Sequence, residues 1–352
     1  MYNAAHKEYI PMKEKTKKFL KKHLGWTICG GLLLLVSFFM LIINLIPPKK
    51  SVVNNPFVVA EGELPMVAAH RGGARNNPEN TMLAFREAVK MGVDILESDL
   101  YLTQDGHLVY NHDSYIDETC NTYPDLTLDE VEEISKDKRH YIKDMTLAEL
   151  ESYNFGYYFE DKNGDRLYKD YTHDKVVTEG LQIATVDKLF EEFYNTNPDL
   201  LFIVEIKNGG TRGETACKIL WETLEQKYPD YIDNIVVGTF KDEIGDVLKT
   251  QYPRLLRGAP EGAATEFVVT QLLGVNLFSQ SNFACLQIPN EKGPLKLDLK
   301  TLINRAHQKN IAVQYWTINE EPQMRELIEL GCDCIMTDDP ELLLRVLEDY
   351  KK

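Results

Sequence analysis

The chain has 352 residues and a formal net charge of −16, with 43% hydrophobic and 27% charged residues. That apolar content supports an ordered core and excludes general disorder, and the length allows two domains or one large barrel. The charge is uneven: residues 1–23 hold seven Lys against two Glu, 24–48 hold no charge, and 49–352 therefore carry −21. An acidic body of that kind argues against a nucleic-acid backbone as partner.

Residues 1–23 read as a basic cytoplasmic arm and 24–48 as a transmembrane helix. Leu24 to Ile46 is a run of 23 residues whose only strongly polar member is Asn44, and at ~1.5 Å per residue a helix of that length spans a hydrocarbon layer of ~30 Å. Lys13, Lys15, Lys17, Lys18, Lys21 and Lys22 precede it and Pro47-Pro48 closes it. The lysine flank predicts a single-pass protein of the cell membrane with everything after Pro48 outside the cytoplasm. A cleaved signal peptide is the rival reading, but its apolar region is usually shorter and is followed promptly by a small-x-small cleavage site, absent here. Residues 49–64 read as a short tether. Of the six cysteines, Cys29 falls in the membrane segment. Cys120, Cys217, Cys285, Cys332 and Cys334 are scattered without zinc-like spacing, which favours buried thiols over a disulfide scaffold.

From residue 65 to 352 the pattern becomes an alternation. Short apolar runs at Met66–Ala69, Ile95–Leu100, Leu200–Ile206, Ile235–Thr239, Leu255–Gly258, Cys285–Ile288, Ile311–Trp316 and Cys334–Thr337 predict strands. Between most of them, apolar residues at three- and four-residue spacing predict helices over Thr81–Met91, Val186–Tyr194, Thr215–Lys227, Glu243–Tyr252, Thr265–Leu273, Leu299–Lys309, Pro322–Leu330 and Glu341–Tyr350. Eight strand–helix units match a (β/α)8 TIM barrel; alternation alone also permits a doubly wound open sheet. The 68 residues from Asp113 to Gly180 are too many for a structureless loop and predict an inserted subdomain after the second strand region. Its ten aromatics read first as its own small core, and second as a grip for lipid or polymer.

A barrel of this class carries its chemistry at the C-terminal ends of the strands. The first strand ends in Ala69-His70-Arg71-Gly72-Gly73. The second carries Glu97-Ser98-Asp99, followed by the hairpin turn Thr103-Gln104-Asp105-Gly106 and by Asn111-His112-Asp113. The third ends in Glu205-Ile206-Lys207, the seventh at Trp316, and the eighth at Thr337-Asp338-Asp339-Pro340. Residues two apart on a strand share a face, so Glu97 points with Asp99 and Glu205 with Lys207. Three converging carboxylates call for one divalent cation, and all-oxygen ligation suits Mg2+ or Ca2+ better than Zn2+. Arg71 and Lys207 add positive charge, and Gly72-Gly73 permits close backbone approach, which describes a phosphate site. His70 and His112 form a natural acid–base pair. Trp316 walls the pocket or fills the barrel. Asn80-Thr81 reads as a helix N-cap.

The stretch HRGGARNNPENTMLAFREAVKMGVDILESDLYLTQDGHLVYNHD resembles the opening signature of glycerophosphodiester phosphodiesterases: an HRG, a PENT before a helix, an E-x-D, a T-x-DG turn and an HD. IVEIK, YWTIN and GCDCIMTDDP resemble the later strands of that family, so the resemblance covers residues 65–350 and suggests a membrane-anchored member of bacterial type. Departures are Gln182-Ile183-Ala184-Thr185-Val186 in place of an I-P-T-L-like stretch, and Cys332 and Cys334 where Val and Gly are usual. The resemblance implies a (β/α)8 barrel and metal-dependent hydrolysis of glycerophosphodiesters to sn-glycerol 3-phosphate and an alcohol. It implies His70 and His112 as catalytic residues, Glu97, Asp99 and Glu205 as metal ligands, and Arg71 and Lys207 as phosphate contacts. The expected partners are the membrane and a glycerophosphodiester or phospholipid-derived substrate. A lysophospholipid or a polyglycerolphosphate (teichoic acid) is the alternative substrate, and a phosphoglycerol-binding module without catalysis is the alternative from another class.

Overall fold

The computed structural model describes residues 12–46, 48–275 and 281–351. Residues 1–11 of the basic arm, and Pro47, lie outside them. Helix α1 (Met12–Leu45) begins within the lysine-rich arm, and its stretch Thr16–Ile42 is long and apolar enough to cross a membrane. Phe38, Leu34 and Leu35 on it are exposed, as side chains facing a nonaqueous layer would be.

The residues after α1, expected as a tether, are fastened to the underside of the barrel along part of their length. Ser51 donates its amide to the Lys309 carbonyl (2.7 Å) and its hydroxyl to the Phe283 carbonyl (2.7 Å). Asn55 Nδ2 bonds the carbonyls of Ala284 (2.8 Å) and Asn310 (3.0 Å), and the Val59 amide reaches Asp333 Oδ1 (3.0 Å). Phe57 is completely buried and packs with the lower ends of the strands against Ala68, Ile95, Ala284, Ala312 and Cys334.

The barrel then unrolls in order: β1 (Met66–Ala69), α2 (Met82–Met91), β2 (Ile95–Leu102), β3 (Leu108–Tyr110), then the short helices α3 (Leu128–Glu132), α4 (Leu147–Leu150) and α5 (His173–Glu179). It continues with α6 (Val186–Phe193), β4 (Leu201–Ile206), α7 (Gly210–Lys227), β5 (Ile235–Gly238), α8 (Asp242–Gln251), β6 (Leu256–Arg257), α9 (Glu261–Leu272) and β7 (Cys285–Ile288). A hairpin, β8 (Glu291–Lys292) and β9 (Leu295–Lys296), precedes α10 (Lys300–Gln308), β10 (Ala312–Tyr315), α11 (Glu321–Leu330), β11 (Cys334–Thr337) and α12 (Pro340–Glu348). The parallel staves run β6-β5-β4-β2-β1-β11-β10-β7, and a bridge between Gly258 and Cys285 brings the two ends together into a nearly closed eight-stranded barrel.

The staves are buried on both faces, which is why they read as apolar runs rather than alternations. In β4 only Glu205 escapes full burial. Helices pack outside the staves in one continuous core that includes Phe85, Phe190, Leu220, Leu248, Ile303 and Leu343. Side chains such as Ala68, Ile203, Val236 and Met336 form a second cluster with Phe57. The doubly wound alternative is excluded by the pairing of β1 with both β2 and β11 and by the closing bridge. Residues 113–180 hold apolar clusters of their own, one around Ile116, Ile142, Leu150 and Phe155 and another around Val131, Tyr157 and Tyr158. The five cysteines beyond α1 are free and buried.

Candidate active site

Register alone brings two of the three carboxylates together: β2 and β4 pair with Asp99 opposite Glu205 and Glu97 opposite Ile203. Glu97 and Asp99 lie two apart on β2, and one oxygen from each of Glu97, Asp99 and Glu205 lies within 4.8 Å of the others. These are hard oxygen donors in a buried setting, a set that fits a Mg2+ or Ca2+ ion. Their electrostatics point the same way. Burial, reinforced by the charge of Asp99, pushes the Glu97 carboxyl up to about 7. Burial also raises Glu205, against the pull of Lys207. Burial would raise Asp99 too, but Lys207 and Arg71 outweigh it and hold that carboxyl low. Of the three, Glu97 is the one paired with neither Lys207 nor the Arg71 guanidinium, and the His70 ring stands 3.9 Å from it.

Two basic side chains flank the cluster. Lys207 Nζ sits 2.9 Å from both Asp99 Oδ1 and Glu205 Oε2, and these charges more than offset burial and raise its pKa. Arg71 places Nε 3.4 Å from Asp99 Oδ2 and Nη1 2.8 Å from Glu79 Oε2, while its backbone amide donates to Glu97 Oε2 (2.9 Å). Gly72 and Gly73 serve a packing role beyond the phosphate approach expected of them. A Cβ at Gly72 would stand 2.8 Å from Ala84 Cβ, and one at Gly73 would stand 3.0 Å from Pro340. Both also adopt positive φ (82° and 92°), which glycine takes without strain.

His70 follows β1, with Nε2 3.9 Å from Glu97 Oε2 and Nδ1 2.6 Å from Asp338 Oδ1. Burial lowers its pKa, but Glu97 and the Asp338 hydrogen bond more than reverse that, so the imidazole is raised above its usual value. His112 stands on the loop after β3. Asn111 fixes that loop by donating its amide to the Asp99 carbonyl (2.9 Å) and Nδ2 to the Asp113 and Tyr115 carbonyls. His112 Nδ1 lies 3.3 Å from Asp113 Oδ1.

All eight residues singled out in the sequence, His70, Arg71, Glu97, Asp99, His112, Glu205, Lys207 and Trp316, line one cavity of about 670 Å³ at the C-terminal mouth of the barrel. Trp316 lies on its wall in edge contact with Phe240 (centroids 5.7 Å apart). Four residues hold the site together in ways the sequence does not signal, among them Asn80, which the sequence pairs with Thr81 as a helix N-cap. Asp338 anchors His70, and Asn319 anchors Asp338 through Nδ2 to Oδ2 (2.6 Å). Asn80 does not cap; it sits at φ 55° and bonds Asp99 Oδ2 (3.2 Å), while Thr81 alone accepts from the Ala84 amide at the start of α2. Glu79 holds Arg71. The Pro78-Glu79-Asn80-Thr81 stretch thus fixes a cation, a carboxylate and a helix start in turn, a signal available in its spacing from Arg71 and Asp99 only once the fold is known.

Comparison with known proteins follows the geometry. The sequence profile described as the glycerophosphoryl diester phosphodiesterase family matches residues 70–342. The chain is similar to a glycerophosphodiester phosphodiesterase of Caldanaerobacter subterraneus subsp. tengcongensis, 26% identical over 288 residues, covering 80% of this chain and 97% of the relative. Among solved structures it resembles a putative glycerophosphoryl diester phosphodiesterase of Silicibacter pomeroyi (TM-score 0.62, 19% identity, 84% of this chain and 96% of that one). It also resembles an Oleispira antarctica phosphodiesterase in complex with the product sn-glycerol-3-phosphate (TM-score 0.57, 20% identity, 81% and 97%).

Proposed function

The chain belongs to the glycerophosphoryl diester phosphodiesterase family of phosphoric diester hydrolases, and from that premise we propose that it hydrolyses glycerophosphodiesters to sn-glycerol 3-phosphate and an alcohol with the aid of one divalent cation. The observation that carries the reading is the convergence of three carboxylate oxygens, those of Glu97 and Asp99 on buried residues, within 4.8 Å in the cavity that the two histidines also line. Glu97, Asp99 and Glu205 would hold the cation, which when bound supplies Lewis acidity toward a phosphate oxygen. Arg71 and Lys207 stabilise charge that builds on the remaining phosphate oxygens. His70 is the general base: the 2.6 Å contact with Asp338 keeps the neutral ring's proton on Nδ1, so Nε2 is free to accept one. His112 protonates the departing alkoxide. The product bound to the Oleispira antarctica relative is in keeping with the assignment.

We further assign α1 as an uncleaved anchor that holds the barrel on the extracytoplasmic side, on the strength of its apolar length and lysine flank. Phe240, Val268, Leu295 and Trp316 in the cavity wall favour a second substrate, a lysophospholipid dispersed in water, whose acylglycerol carries the hydrocarbon part and whose hydrolysis releases acylglycerol 3-phosphate and the head-group alcohol. The test is release by the full chain in detergent of glycerol 3-phosphate from glycerophosphocholine and polyglycerolphosphate, and of choline and lysophosphatidic acid from lysophosphatidylcholine, with EDTA, Mg2+ and Ca2+ arms. Release that needs a divalent ion and disappears in His70→Ala supports the diesterase; no release from any substrate with either ion would leave a phosphoglycerol-binding module.

A further inference from the structure

Resting on that reading of α1 as an anchor, we propose that the barrel stands on the bilayer by its base, with residues 51–59 as a rigid foot, so that the catalytic mouth opens away from the anchoring membrane and takes phosphodiesters presented from the aqueous side.

The foot is defined by its bonds. Ser51, Asn55 and Val59 reach Phe283, Ala284, Lys309, Asn310 and Asp333, all of which immediately precede β7, β10 or β11 and so mark the N-terminal ends of the staves. Asn310 returns the contact through Nδ2 to the Val52 carbonyl (2.7 Å). Phe57, wholly buried, seals the barrel from below. The groups proposed for catalysis lie on other staves and toward the opposite end of the barrel, after β1 and β3 and along β2 and β4.

Chain length turns this placement into an orientation. Six residues lead from Leu45, the last of α1, to Ser51, the first fastened residue, so the base lies within ~20 Å of the helix end even if that stretch is fully extended. A domain of this size has a radius of gyration of roughly 19 Å and measures about 50 Å across, so the route over its surface from base to mouth is about 75 Å. A ~20 Å leash cannot be led round it. Along β4 alone, Lys207 stands about 20 Å above Leu201 at strand rise. A phosphodiester at the head-group level of the anchoring bilayer is therefore out of reach. One dissolved in water, or borne on a polymer that extends from the surface, is within reach.

The test reads orientation directly, in the full chain reconstituted into vesicles of phosphatidylcholine and phosphatidylglycerol. The other cysteines being buried, Cys29→Ser leaves a background into which one reactive thiol can be placed at the base (Asp199→Cys) or at the rim (Glu291→Cys), both exposed. With a fluorophore on either thiol and spin-labelled head groups in the bilayer, quenching at the base should exceed that at the rim at least about threefold. Inserting about thirty Gly/Ser residues between Pro48 and Lys49, a reach of ~30 Å root-mean-square, should erase the difference and leave glycerophosphocholine turnover unchanged. Equal quenching in the parent chain, quenching at neither site, or a difference that survives the insertion overturns the proposal. A chain that fails to float with the vesicles removes the anchor and the orientation together. Loss of glycerophosphocholine turnover in the same vesicles counts only against the diesterase.

Discussion

Replacing Asp338 with Asn changes one oxygen to nitrogen 2.6 Å from His70, and the surrounding bonds dictate which way the new amide must face. Asn319 Oδ1 accepts from the Asp338 amide (2.9 Å) and the Thr337 hydroxyl (3.1 Å), so Asn319 Nδ2 is obliged to point at Asp338 Oδ2. In Asp338→Asn the atom facing Asn319 must stay an acceptor, which turns the new NH2 toward His70 Nδ1. That donor forces the ring proton onto Nε2 and removes the lone pair proposed to take a proton from the attacking oxygen. Losing a charge-assisted hydrogen bond costs about 1.5–3 kcal/mol, roughly 10- to 150-fold in rate. Reversal of the tautomer in an Asp–His pair of the serine-protease kind costs about 10⁴-fold. The expected loss in kcat for Asp338→Asn is therefore about 10²- to 10⁴-fold, with divalent-ion affinity unchanged. Asp338→Ala, which leaves the ring free to choose its tautomer, should lose only about 10- to 150-fold. The assay is glycerol 3-phosphate release from glycerophosphocholine at saturating divalent ion, with ion binding measured by calorimetry. The reasoning is refuted if folded Asp338→Asn stays within about threefold of the parent, or if Ala proves the more damaging replacement.

His112→Ala should abolish turnover while divalent-ion binding persists, because His112 contacts Asp113 and none of the three ligand carboxylates; calorimetry showing loss of the ion would refute its role as acid. Asn80→Ala removes the side-chain bond to Asp99 Oδ2 and should weaken ion binding about 10- to 100-fold, as loss of a ligand's supporting hydrogen bond does, read from the divalent-ion dependence of activity. Phe57→Ala should destabilise the barrel by about 3–5 kcal/mol, seen as a lower urea midpoint, with kcat unaffected at temperatures where the protein remains folded. A midpoint unchanged by that substitution would mean that the foot does not seal the base.

Much of this architecture was legible because parallel staves buried on both faces leave continuous apolar runs. Met66–Ala69, Cys285–Ile288 and Cys334–Thr337 match their strands residue for residue. The Glu-x-Asp and Glu-x-Lys spacings were equally readable, since period two fixes which side chains share a face. What escaped has no period. β8 and β9 are two-residue strands of exposed residues about a turn at Gly293. Asp338, Asn319 and Asn80 act by bonding other polar groups far off in sequence, and nothing local distinguishes them from solvated loop residues. The fastening of residues 51–59 was hidden because a single apolar residue, Phe57, is deeply buried in it while the remainder is held by backbone and amide bonds.

The shortest stave also says where this barrel will breathe. β6 contributes two residues, and the seam beside it is closed by the Gly258–Cys285 bridge with the Ala284-to-Arg257 and Ala259-to-Cys285 bonds, whereas β2 and β4 are laced together over six residue pairs. Amide protons along that seam should exchange with solvent well before those of β2 and β4, because a partial opening there breaks few bonds and uncovers little apolar surface. Ala259 and Val268 beside the seam line the same cavity as the histidines. Its fluctuation would widen the chamber on the side away from the carboxylates, letting the space offered to the departing alcohol vary while the reacting phosphate stays held in a fixed frame.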